Sequence, residues 1–182
     1  MYIYIRARCP KPNDETATNV GHYDMIIDGT VDFKEFREDG SSYYIYRPVV
    51  SYGHAGVTIT ALNMSNEIFD MSESYIEDHD FYVWRLSVED NKVPAFFTWL
   101  RGLANNVSFE ELPTLDKISF RPNNEFATYD METRNCFVAT AKWLQQMGND
   151  SLIAVVNAAT YMRYSPWIMK RFYGGSWSPA TY

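Results

Sequence analysis

Two cysteines occur in this chain, Cys9 and Cys136, and the second stands in a pattern that suits a nucleophile. Asn135-Cys136-Phe137-Val138 opens an amphipathic stretch whose apolar positions Phe137, Ala141 and Leu144 predict a helix to Met147, closed by Gly148. The first turn of a helix presents unpaired N–H groups and the positive end of its dipole, both of which favour a thiolate. A lone Cys at a helix start is otherwise a small buried hydrophobe, so the case for chemistry needs a base. His54 is the candidate. Ser51-Tyr52-Gly53-His54-Ala55-Gly56-Val57 puts an imidazole at the opening of a strand expected over 54–62, beside residues small enough to admit another backbone. Without the thiol, such a histidine would read as a strand-edge residue.

A thiol and an imidazole work best with a third group that fixes the imidazole tautomer. Asn63 to Asn66 is turn material, and Glu67-Ile68-Phe69-Asp70 reads as the return arm of a hairpin, which would bring the Asp70 carboxylate near His54. Asn66 and Asp80 could serve equally, and Asp70 could simply be solvated at the hairpin edge. The remaining histidines, His22 near Asp24 and His79 between Asp78 and Asp80, lack any Cys pair or His-Glu spacing. No zinc site or other cofactor is expected.

The elements that must position these residues follow from periodicity. Residues 2–8 alternate as a strand that ends at a proline pair, a polar loop runs to Gly21, and Tyr23 to Asp28 makes a second strand. Phe33 to Asp39 is ambiguous. Tyr43 to Tyr46 reads as a strand interrupted by Pro48, and Phe81 to Val88 as another. Asp90 would cap a helix to about Ala104 with Val93, Phe96, Phe97 and Leu100 on its apolar face; Pro113 to Asn124 is loop-rich. Leu152 to Ala159 fits a helix or a strand, Pro166 to Tyr173 a short helix, and a Gly-rich tail carries Trp177 and Tyr182 as a lid or a loose end.

These residues resemble a family. Tyr44-Ile45-Tyr46-Arg47-Pro48 followed by Tyr52-Gly53-His54-Ala55-Gly56-Val57 is similar to the strand, Arg-Pro turn and His-bearing strand of the circularly permuted NlpC-like proteins, which include the lecithin retinol acyltransferase-like enzymes. Asn135-Cys136-Phe137-Val138 resembles their Asn-Cys nucleophile motif. The resemblance spans residues 43–72 and 134–147 and implies an α+β, papain-like fold: an antiparallel sheet packed on the helix that carries Cys136. It implies one catalytic domain over 1–182, with the core in 43–182 and an N-terminal elaboration in 1–42. Cys136 would be nucleophile, His54 base and Asp70 the third residue. Tyr52 matches a tyrosine that assists the oxyanion in relatives, and Asn135 would join it there. Asp replaces the histidine frequent at the third position in the acyltransferase branch, the hairpin from His54 to Asp70 is longer, and His-Phe does not follow Cys136. These departures favour an amide or isopeptide substrate, peptidoglycan stem peptides first. A thiol-dependent lipid acyltransferase or phospholipase and a non-catalytic binding module are the alternatives.

Composition bounds the rest. With 182 residues, 46% hydrophobic and 16% aromatic, the chain is expected to form one folded domain. A net charge of -7 argues against a nucleic-acid partner, because such affinity rests on Lys and Arg contacts with phosphate. No apolar run approaches a transmembrane span, and Met1 to Arg8 lacks the form of a signal peptide. By analogy with amidase effectors, export to a target cell's periplasm would need a dedicated secretion system, and an immunity protein would be the partner.

Overall fold

The computed structural model describes residues 1–10, 22–61, 79–111, 116–130, 133–153 and 177–179. In chain order these residues form β1 (Tyr2–Pro10), β2 (His22–Asp28), β3 (Thr30–Asp32), a 3-10 turn (Lys34–Phe36), β4 (Tyr44–Tyr46), β5 (Pro48–Gly53), β6 (Gly56–Ala61) and β7 (His79–Ser87). Then come α1 (Lys92–Gly102), β8 (Ala104–Glu111), β9 (Asp116–Pro122), a 3-10 turn (Glu125–Ala127), α2 (Cys136–Gln146) and β10 (Trp177–Pro179). The class is mixed α+β. Among the described residues one antiparallel sheet runs in the order β10, β7, β1, β2, β5, β6, β9, β8, and β3 pairs with β4 beside it.

Alternation builds one apolar face of this sheet. Ile3, Ile5 and Ala7 of β1 stand opposite Ile27, Met25 and Tyr23 of β2; across the next pairs, Val50 meets Met25 and Ile59, and Ile59 meets Ile118. All of these side chains are fully buried. Both helices bury their apolar stripes in the same core, Val93, Phe96, Phe97 and Leu100 from α1 and Phe137, Ala141, Trp143 and Leu144 from α2. The helices meet where Phe96 approaches Trp143, with ring centroids 6.4 Å apart. The opposite sheet face carries a buried pair, in which Arg6 Nε and Nη2 donate to the two Asp24 carboxylate oxygens at 2.8 and 2.6 Å. No helix among the described residues is long and apolar enough to cross a membrane.

Several expectations shift. Residues 1–42, expected as an elaboration, supply β1 and β2 in the middle of the sheet, so the core is built on them. Pro48 begins β5 rather than merely breaking a strand, and the loop-rich 113–124 segment contains β9. Asn91, not Asp90, occupies the cap of α1, which ends at Gly102 because β8 begins at Ala104. The ambiguous 33–39 stretch is a 3-10 turn that seats Phe36 in the core beside Phe33. The expected elements at 67–70 and 166–173 lie outside the described residues.

Candidate active site

Helix α2 starts at Cys136 for a local reason. Asn135 has extended backbone, and its side-chain oxygen accepts the Val138 N–H at 3.0 Å, satisfying one of the first-turn donors. Thr140 Oγ1 donates to the Cys136 carbonyl at 2.8 Å, within the same helix. The strand facing this turn is β2: the Tyr23 backbone N–H donates to Cys136 Sγ at 3.3 Å, and the Tyr23 and Phe137 rings pack at 4.6 Å. The sulfur therefore sits at the seam between helix and sheet, and Cys136 takes no part in a disulfide.

The expected position of Cys136 at an open mouth is not what this packing gives. Cys136 is only 1% exposed. Burial pushes its thiol up to about 11, with the nearby Asp24 carboxylate adding to the rise and the Tyr23 amide opposing it. Desolvation of a thiolate outweighs the helix terminus here, so the resting sulfur is a thiol rather than the acidic group expected.

His54 is exposed and lies in the two-residue turn that joins β5 to β6, with Gly53 and Gly56 closing the hairpin. It thus precedes the strand it was expected to open. Gly56 explains the boundary: its φ is +103°, and a Cβ there would overlap the Phe120 carbonyl of β9, which runs alongside. The close backbone approach anticipated at this segment is real, and its source is β9.

Tyr129 links the two sides. Its ring centroid is 4.1 Å from that of His54, and its hydroxyl lies within hydrogen-bonding reach of both the thiol and the backbone N–H of Cys136. Burial pushes this phenol up to about 12, and the adjacent Cys136 and Tyr52 contribute. A pinned turn holds it: Asp130 and Arg134 exchange backbone hydrogen bonds, Thr133 N and Oγ1 donate to Asp130 Oδ1 at 2.8 Å, and Arg134 Nε donates to the Thr128 carbonyl at 3.1 Å. The sequence reading passed over Tyr129. The signal was present in Asp130, Thr133 and Arg134, an Asp-led turn placed just before the Asn-Cys pair.

The other candidates fall in different places. Tyr52 is 1% exposed and its hydroxyl donates to the Phe126 carbonyl at 2.9 Å, while its ring lies 5.5 Å from that of Tyr129. Asp70 and Asn66 lie outside the described residues, and both edges of β6 over Val57 to Thr60 are taken, by β5 and β9. Asp80 is on β7, three strands from β5 in the sheet order. His22 opens β2 with Nε2 2.6 Å from Ser51 Oγ. It neighbours Tyr23 in the chain, yet strand alternation turns it to the sheet face opposite the sulfur. Among the described residues no group of three His, Cys, Asp or Glu side chains is placed to hold a metal ion.

No protein-family model matches the chain, and no curated protein and no solved structure matches it.

Proposed function

We propose that the chain is a papain-like cysteine hydrolase that cleaves an amide or isopeptide bond, with peptidoglycan stem peptides as the first substrate class. The observation that carries this reading is Tyr129, whose ring packs on the exposed His54 imidazole and whose hydroxyl reaches Cys136 at the first residue of a capped helix. A thiol seated in a helix N-terminus, an imidazole on a neighbouring hairpin and a hydroxyl between them are the parts that acyl transfer through sulfur requires.

Chemically, Cys136 attacks the carbonyl carbon, His54 takes the thiol proton and returns it to the leaving amine, and water then hydrolyses the thioester. The Cys136 backbone N–H, which meets the Tyr129 hydroxyl at rest, would turn to the oxyanion. By the family resemblance alone, Asp70 is the residue assigned to orient His54. The resting thiol, held up near 11, must lose its proton to His54 as it attacks, because the helix alone does not ionise it.

A second reading is favoured by the burial of that sulfur: a structural thiol on a non-catalytic binding module. Digesting purified peptidoglycan and phospholipid vesicles in parallel, with wild type, Cys136→Ala and His54→Ala, separates these readings. New amino groups released from peptidoglycan by wild type alone support the amidase. Fatty-acid release alone transfers the assignment to a lipid-directed enzyme, and no release from either leaves the binding module. Action in the periplasm of a rival cell, with an immunity protein as inhibitor, is the biological setting this proposal carries.

A further inference from the structure

An acyl-transfer site needs a donor for the oxyanion, and two tyrosines stand near the sulfur. They are not equivalent. The Tyr52 hydroxyl is committed to the Phe126 carbonyl at 2.9 Å inside the core. The Tyr129 hydroxyl is on the Cys136 thiol itself, while its ring packs tilted by 42° against His54 and by 37° against Tyr52. Asp130, next in the chain, exchanges backbone hydrogen bonds with Arg134, which precedes Asn135 and Cys136, so the phenol is tied locally to the start of α2.

We propose that Tyr129 is a further catalytic residue: its hydroxyl rests on the Cys136 sulfur in the free protein and passes to the substrate's carbonyl oxygen during acylation. This inference rests on the cysteine-hydrolase reading. Attack forms the Sγ–C bond, the carbonyl π electrons move onto oxygen, and the thiol proton goes to His54. The Tyr129 hydroxyl, no longer needed at sulfur, donates to that oxyanion. Collapse re-forms the carbonyl, breaks the C–N bond, and sends the proton from His54 to the amine. Water then attacks the thioester, and the thiol leaves as His54 relays the proton. A phenol raised to about 12 stays protonated, and so remains a donor, throughout the working pH range.

Tyr129→Phe keeps the ring against His54 and removes only the hydroxyl. On the peptidoglycan substrate kcat is expected to fall about 10²-fold, the loss usual for one oxyanion donor, with KM little changed and the shape of the pH profile preserved. In the absence of substrate, alkylation of Cys136 by iodoacetamide is expected to run slower in Tyr129→Phe than in wild type, because a donor to the thiolate is lost, and faster in Tyr129→Ala, which uncovers the sulfur. Circular dichroism and melting temperature establish that each variant is folded. Equal kcat and equal alkylation rates in wild type and Tyr129→Phe overturn the Tyr129 role and leave the hydrolase reading standing. Absence of turnover by wild type on any acyl substrate sinks the hydrolase reading and the catalytic role together.

Discussion

At the scale of single residues, the decisive competition is at the Cys136 sulfur. A helix N-terminus lowers a thiol's pKa and burial raises it, and the packing of Tyr23 and Phe137 around the sulfur lets burial win. The sign of the pH dependence follows. A folded-state pKa of about 11 against the ordinary 9.0 means the unfolded chain ionises first. The stability from burying the neutral thiol is complete below about pH 9 and is lost as pH climbs through 11, by ~3 kcal/mol at most. Denaturant midpoints measured from pH 8 to 11 should therefore decline more steeply in wild type than in Cys136→Ala; parallel declines would contradict the buried-thiol account. Tyr129, raised in the same way, remains in both proteins and acts toward higher pH. The sequence disclosed which sulfur and which imidazole to consider, since residue type and local spacing select them. It could not disclose the sign of the thiol shift, which depends on β2 closing over the helix from more than a hundred positions away.

The hairpin of β5 and β6 and the helix α2 are the elements that aim these side chains. The helix was legible. Asn135 signalled the helix start, and the predicted span to Met147 agrees with α2 to within a residue, because capping and 3.6-residue periodicity are local properties. The β5–β6 hairpin was not: the expected turn is at 63–66, between a strand over 54–62 and a return arm at 67–70, whereas the described turn is at 54–55 and Pro48–Gly53 is the partner strand. Gly53 and Gly56 were seen as room for a neighbour, but the neighbour, β9, lay in a segment dense in Pro and Asn that read as loop. Gly56 is the sharpest test at this scale. Gly56→Ala places a Cβ against the Phe120 carbonyl at a φ of +103°, so it should destabilise the protein by more than ~1 kcal/mol and displace His54 with the turn. A melting temperature unchanged from wild type would show that the turn differs from the one described.

Across the whole molecule, the first two strands matter most for what sequence alone missed. Strand pairing is set by which edges meet in space, and nothing in residues 1–42 announces that β1 and β2 fill the middle of the sheet between β7 and β5. Their polar face holds Arg6 and Asp24, 6% and 1% exposed, as a two-fold hydrogen-bonded pair. Removing one partner strands a buried charge. Asp24→Ala should cost ~3 kcal/mol or more in urea unfolding, and a cost below ~1 kcal/mol would mean that β1 and β2 are not joined at the centre of the fold. Candidate site and scaffold are coupled through that same strand, because β2 carries Asp24 on one face and delivers the Tyr23 amide to the Cys136 sulfur beside it. The claim on which function turns is that this sulfur becomes covalently acylated. Acid-quenched intact-mass measurement during turnover of a stem-peptide substrate, followed by peptide mapping, reads it directly. A substrate-dependent mass increment on Cys136, discharged by hydroxylamine and lost in Cys136→Ala along with product, is the result expected; product formation that continues undiminished in Cys136→Ala would contradict it.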